Sequence, residues 1–236
     1  MTTARNNQKG LFSRVWRVIR RVFLILFILQ LVYIVLLKWV NPPITMTQLG
    51  SLFGGDGLKR TYVSLADISP NVRLAVISTE DQLFPDHDGF DFKNIEKAMK
   101  HNQKSKSLHG ASTISQQVAK NVFLWQGRSW FRKGLEVYFT FMIEMIWGKK
   151  RILEMYLNVA EMGKGIYGIE AASRNYYHIS AKNLSRLQAA RIASCLPNPR
   201  VYTVKPLSNY VAWKSVWAME QMDHLQNDAD IRKLLQ

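Results

Sequence analysis

The stretch SPNVRLAVISTEDQLFPDHDGFD, residues 69–91, decides how this chain is read. Ser69 and Pro70 form a helix start, a capping hydroxyl followed by proline in the first turn, and Val72, Val76 and Leu83 carry the apolar pattern that follows. Positions 72, 76 and 80 are four apart, each about 40° round the helix from the last. The spacing therefore puts Glu80 near the apolar face and turns Asp81 about 100° away. A carboxylate so placed loses water, which raises its pKa and fits it for general-base work; the ordinary alternative is a buried structural Glu paired with an arginine. Residues 80–91 gather five acids and His87 in a chain whose formal net charge is +15. An acidic cluster on such a background reads as a site rather than as solvated surface.

Toward the N-terminus the only long apolar run is VFLILFILQLVYIVLL, residues 22–37, which Trp39 and Val40 extend. Its length matches the roughly 20 residues that a membrane-spanning helix needs. No small-residue cleavage site follows it, so it is expected to remain as an anchor. Six cations and no acid precede it, which predicts a cytoplasmic N-terminus and places everything after residue 41 outside. Removing those six from the 32 Lys and Arg leaves 26 against 17 acids, so the exported part alone carries +9. On an anchored protein that excess points to phospholipid headgroups or a phosphorylated lipid, not to nucleic acid. Cys195 stands alone and allows no internal disulfide. The expected organisation is a basic tail (1–21), a transmembrane anchor (22–40), a Pro- and Gly-containing linker (41–61) and one domain (62–236).

Toward the C-terminus, GASTISQQVAKN, residues 110–121, opens a second helix. Ile114, Gln117, Val118, Asn121, Val122 and Trp125 follow helical spacing, so two amides interrupt the inward face. Ser and Thr at such a helix start suit an anion or a sugar, and they are also ordinary caps. Arg128, Arg132 and Glu136 are each four apart, a set that can hold a phosphate or can form simple ion pairs. The apolar run VYFTFMIEMIW, residues 137–147, is too short to span a bilayer and is either a core helix or a segment that dips into the membrane surface. Ile152, Leu153, Tyr156 and Leu157 mark a further helix that stops at Gly163. The Gly163-x-Gly165-x-x-Gly168 pattern matches a dinucleotide fingerprint but lacks the preceding strand that such a site requires. A last clear helix covers 184–196, and weak strand signals lie only near Tyr62 and Val201. The domain is expected to be mainly α.

Five blocks in order carry a resemblance: E-D-x-x-F-x-x-H-x-G-x-D (80–91); G-A-S-T-I-S-Q-Q through K-N (110–121); R-K-x-x-E (132–136); K-x-x-I-L-E-x-Y-L-N (149–158); and R-x-A with L-P-x-P (191–199). From Leu65 to about Tyr202 the chain resembles the family-51 glycosyltransferases, the peptidoglycan polymerases, and most closely their monofunctional members. The resemblance implies a lysozyme-like, two-lobed helical domain with a cleft. It also implies polymerisation of lipid II into β-1,4 glycan strands, with release of undecaprenyl diphosphate and inversion at the anomeric carbon.

Carried onto this sequence, the resemblance makes Glu80 the general base and gives Glu136 a second catalytic role, orienting the basic cluster or a divalent metal. Lys120, Arg128, Arg132 and Lys133 would bind the diphosphate, Ser112, Thr113, Gln117 and Asn121 would line the donor side, and Asp81, Phe84 and His87 would support the site. No cofactor is obligatory, although Mg²⁺ or Mn²⁺ on Glu136 is compatible with the pattern. One His beside an Asp-rich loop is a weak ligand set, so His87 is read as a hydrogen-bonding residue. The implied setting is the bacterial inner membrane, single-pass with a periplasmic domain, acting on lipid II and a growing strand, with membrane lipid and cell-wall assembly proteins as further partners. No transpeptidase domain is expected. Two rivals are a lytic, lysozyme-like enzyme, which would release soluble fragments from sacculi, and an anchored scaffold, which would tolerate neutralising Glu80 and Glu136.

Overall fold

A computed structural model describes residues 3–104, 110–127 and 129–236. The first 40 residues form one unit, built on a single helix, α1 (Thr3–Leu36). Its segment Ser13–Leu36, 24 residues, is long and apolar enough to cross a membrane. The helix runs straight through the boundary placed at residue 21 and ends before Val40, because the four arginines at 14–21 interrupt hydropathy without interrupting helix propensity.

The second unit is Asn41–Gln236. Its remaining helices are α2 (Met46–Phe53), α3 (Pro70–Glu80), α4 (Phe92–Lys104), α5 (Ile114–Phe123), α6 (Trp130–Trp147), α7 (Lys149–Val159), α8 (Ile169–Tyr177), α9 (Arg186–Cys195), α10 (Asn209–Leu225) and α11 (Ala229–Leu235). A small sheet of β1 (Lys59–Arg60), β2 (Glu161–Gly163) and β3 (Ile166–Tyr167) has β3 in the centre, parallel to β1 and antiparallel to β2. The domain is mainly α, as expected for a lysozyme-like fold.

Two helix groups meet at the site. In one, α3 packs on α9, α10 and α11; in the other, α5 packs on α2, α6 and α7. Helix α3 starts where the sequence indicates, with Ser69 Oγ accepting from Asn71 N and proline in the first turn. All of Val72 to Ser78 is buried, so α3 is a core helix on every side rather than an amphipathic one. The buried Arg73 is satisfied by backbone oxygens of Ile68, Leu234 and Leu235, tying the end of α11 to α3.

Residues 41–61 differ from the linker reading. Thr45 and Gln48 form a capping box that starts α2, and β1 joins the sheet through Lys59 and Arg60. Glycines at 50, 54, 55 and 57 give this stretch the composition of a linker, yet two of them serve a tight turn with positive φ, Gly55 at 77° and Gly57 at 80°. The strand signal near Val201 corresponds to a turn, whereas the glycine pattern at 163–168 forms the β2–β3 hairpin. Cys195 is buried, and burial pushes its thiol up to about 12, consistent with an inert core residue.

Asn158 acts as a backbone surrogate: its Oδ1 accepts from Val63 N and its Nδ2 donates to Val63 O, both at 2.9 Å. Gly168, at φ 80°, lies so close that a Cβ there would sit 2.5 Å from Asn158 O. Gly168→Ala is therefore expected to destabilise the domain by more than about 1 kcal/mol, read as a lowered thermal midpoint of the detergent-solubilised chain. An unchanged midpoint would remove this packing argument.

Candidate active site

Glu80 is the last residue of α3, half-buried, and its Oε2 accepts from Gln117 Nε2 at 2.8 Å. Burial raises the carboxyl above its ordinary range; Gln117, Lys214 and Lys120 oppose that rise, and the charge of Asp81 adds to it. Asp81 caps the end of α3 and is 5% exposed. Its Oδ2 accepts from Ile114 N at 3.0 Å, and its carboxylate faces His87 Nε2 at 3.0 and 3.1 Å. Because Gly89 N donates to His87 Nδ1, the ring carries its hydrogen on Nε2 and donates to Asp81. Both ring nitrogens are thereby engaged, which fits the hydrogen-bonding reading of His87. Phe84 is fully buried, with its ring under Lys149 Nζ at 4.7 Å and edge-on to His87.

The loop after Asp81 is held from three sides. Thr113 Oγ1 donates to Gly89 O at 2.7 Å, Lys149 Nζ donates to His87 O, and the same ammonium pairs with Glu144 at 2.7 Å. Gly89, at φ 87°, leaves no room for a Cβ, which would meet Thr140 Cγ2 at 2.7 Å.

Two cavities adjoin this framework. One, about 380 Å³, is lined by Glu80, Asp81, Asp91, Lys97, Ser112 and Thr113 among others. The other, about 730 Å³, is lined by Gln117, Lys120, Asn121, Tyr156, Glu161 and Arg200 among others. The four residues grouped on one side by sequence are thus divided, Ser112 and Thr113 beside Glu80, Gln117 and Asn121 in the larger cavity. Thr113 is engaged as the N-cap of α5, in a capping box with Gln116. Asn121 is buried and accepts from Thr47 Oγ1.

The packing of α6 on α5 sets Lys120 near a cation cluster. Glu136, 3% exposed, is paired with Arg132 at 3.0 Å and Lys133 at 2.5 Å. Burial lowers the pKa of Lys120; Glu136 and Glu80 pull it back up, while Arg132 and Lys133 push it further down. Arg128 lies outside the described residues. Both oxygens of Glu136 are taken by cations, and among the described residues no group of three His, Cys, Asp or Glu is placed to hold a metal. Glu136 gives one oxygen to each of two cations, Arg132 and Lys133.

The sequence missed Lys214 on α10. Its charge acts on Glu80, and its Nζ lies 3.2 Å from the centre of the Trp217 ring. The sole signal is a lone Lys between Trp213 and Trp217. Thr47 escaped notice as well, because it sits in the stretch read as linker.

A half-buried carboxylate thus contacts the Gln117 amide, and Lys120, one helical turn further along α5, feels both that carboxylate and the Arg132–Lys133–Glu136 group. A family profile described as Transglycosylase matches residues 46–223. The biosynthetic peptidoglycan transglycosylase of Haemophilus influenzae is 48% identical over 229 residues, 91% of this chain and 92% of that protein. The proteins of the same name from Mannheimia succiniciproducens and Xylella fastidiosa are 56% identical over 164 residues (70% and 67% of the two chains) and 42% identical over 221 residues (91% of each). The chain belongs to the transglycosylase family and is an enzyme of that family.

The raised carboxyl has a consequence for stability. Since the fold holds Glu80 above its ordinary value of 4.5, its ionised form costs stability. That cost grows as pH rises from 4.5 through the higher folded value and is constant beyond. Glu80→Gln removes the charge and keeps the contact with Gln117. It is expected to raise the thermal midpoint at about pH 7.5, with the gain shrinking as pH falls toward the unfolded value. A lowered midpoint at neutral pH would mean that the site stabilises the carboxylate instead.

Proposed function

We propose that this protein is a membrane-anchored peptidoglycan glycosyltransferase that polymerises lipid II, with Glu80 as general base. The observation that carries the reading is the Glu80–Gln117 contact, with Lys120, whose charge acts on Glu80, set among Arg132, Lys133 and Glu136. The acceptor sugar's 4-hydroxyl gives its proton to Glu80 as its oxygen attacks C1 of the donor. The C1–O bond to the diphosphate breaks with its electron pair going to the departing oxygen, which inverts the anomeric centre. An alcohol is a poor nucleophile at neutral pH, so a desolvated carboxylate supplies about 10²–10⁴-fold. Negative charge growing on the diphosphate is met by Lys120, Arg132 and Lys133, held in advance by Glu136. Release of undecaprenyl diphosphate completes the step.

The setting we propose is the bacterial inner membrane, with the N-terminus cytoplasmic and the domain periplasmic, as the arginines before the apolar helix favour. Helix α6 supports lipid contact. Glu136, Thr140, Ile143 and Trp147 are buried on one side, while Phe131, Val137, Phe141 and Met145 are exposed on the other, Phe131 at 72% and Met145 at 67%. In this reading residues 137–147 pack one face on the domain and offer the other, exposed and apolar, to lipid.

Purified chain in detergent with lipid II is expected to form glycan strands, and Glu80→Gln to lose at least about 100-fold in rate. Strand formation by Glu80→Gln at the wild-type rate would end this mechanism. For the lipid face, exchanging Phe141 and Met145 for Ser in a chain lacking residues 1–40 is expected to weaken sedimentation with anionic vesicles several-fold and leave the thermal midpoint almost unchanged. A lowered midpoint with undiminished vesicle binding would assign that face to packing.

A further inference from the structure

Tyr156, on α7, takes no direct part in the reaction described, yet its hydroxyl begins a chain of contacts that ends on Glu80. The side chain is fully buried. Its hydroxyl donates to Gln117 Oε1 at 3.2 Å, and Gln117 Nε2 donates to Glu80 Oε2 at 2.8 Å. We propose that Tyr156 is a positioning residue that locks the Gln117 amide with its NH₂ toward Glu80 and so favours the ionised, base-competent carboxylate. The proposal rests on Glu80 being the general base.

The argument turns on which end of an amide faces which neighbour. An ionised carboxylate only accepts, so it selects the NH₂ of Gln117. A protonated carboxyl can instead donate to the amide oxygen once the amide flips. That flip would turn the NH₂ onto the Tyr156 oxygen, which can accept from it, but would take away the acceptor that the buried phenolic hydrogen now has, and an unpaired buried donor costs free energy. Burial holds the phenol well above its ordinary pKa, with the Glu80 charge as the next cause, so it remains a donor at every working pH. Tyr156 thus penalises the arrangement that suits protonated Glu80. Burial drives the carboxyl toward its neutral form, and the Gln117 bond is the largest opposing influence; Tyr156 keeps that influence pointed the right way.

The test is the pH dependence of lipid II polymerisation by the full chain in detergent. Tyr156→Phe keeps the ring and removes one hydroxyl. Loss of the bias lets the Glu80 pKa rise, so the acid limb of kcat/KM is expected to move up by about half to one pH unit, with rates converging on wild type at alkaline pH. Gln117→Leu is expected to move the limb at least as far, and the double variant no further than Gln117→Leu alone. A uniform loss of rate at all pH values in a Tyr156→Phe protein of wild-type thermal midpoint would assign the residue a packing role and overturn the proposal. So would an acid limb left in place by Gln117→Leu. Wild-type polymerisation by Glu80→Gln is the separate result that removes the base assignment, and this inference with it.

Discussion

The carboxylate of Asp81 is the constraint on which the site depends. It sits where α3 ends and accepts both from the first amide of α5 and from His87. One buried side chain thereby joins the α3–α9–α10 group to the α5–α6–α7 group and fixes the return of the loop between them. Glu80 and Gln117 come from different groups, and their contact at 2.8 Å crosses the junction that Asp81 ties. Hydrogen bonds to a buried charged group exceed ordinary ones in strength, and leaving such a group unpaired costs still more. The supporting contacts follow the same economy of position. Lys149 reaches the loop at His87 O, Thr113 reaches it at Gly89 O, and Gly89 is the residue whose lack of a side chain lets α6 approach.

Much of this was legible in the sequence, for uneven reasons. Ser69 and Pro70 marked the start of α3 because capping and the fixed φ of proline are local effects. The assignment of Glu80 came from helical phase and from the ordered blocks, but phase alone was a weaker guide than it looked. Helix α3 is buried all round from Val72 to Ser78, so every position near its end was going to be shielded. What separates Glu80 from Asp81 is partnership: Asp81 is consumed by an amide and an imidazole, while Glu80 keeps one oxygen for which no protein donor is recorded among the described residues. Residues 41–61 misled because glycine-rich composition averages away a capping box four residues long. Lys214 was not legible at all, since it reaches Glu80 from a helix more than 130 positions away, and only tertiary packing brings it there.

The cation cluster is organised around Glu136. Three positive groups held close together call for a counter-charge, because each raises the cost of ionising the others; Arg132 and Lys133 both act on Lys120 in this sense. Glu136, buried at 3% exposure, offsets that repulsion with one oxygen to each of two cations. The cluster keeps a positive excess, and one of its members, Lys120, lines the larger cavity. Helix α6 therefore answers two demands with its two faces. Glu136 on the inner face assembles charge for an anion, while Phe141 and Met145 on the outer face present apolar surface. The lipid-linked diphosphate proposed as substrate would make both demands at once.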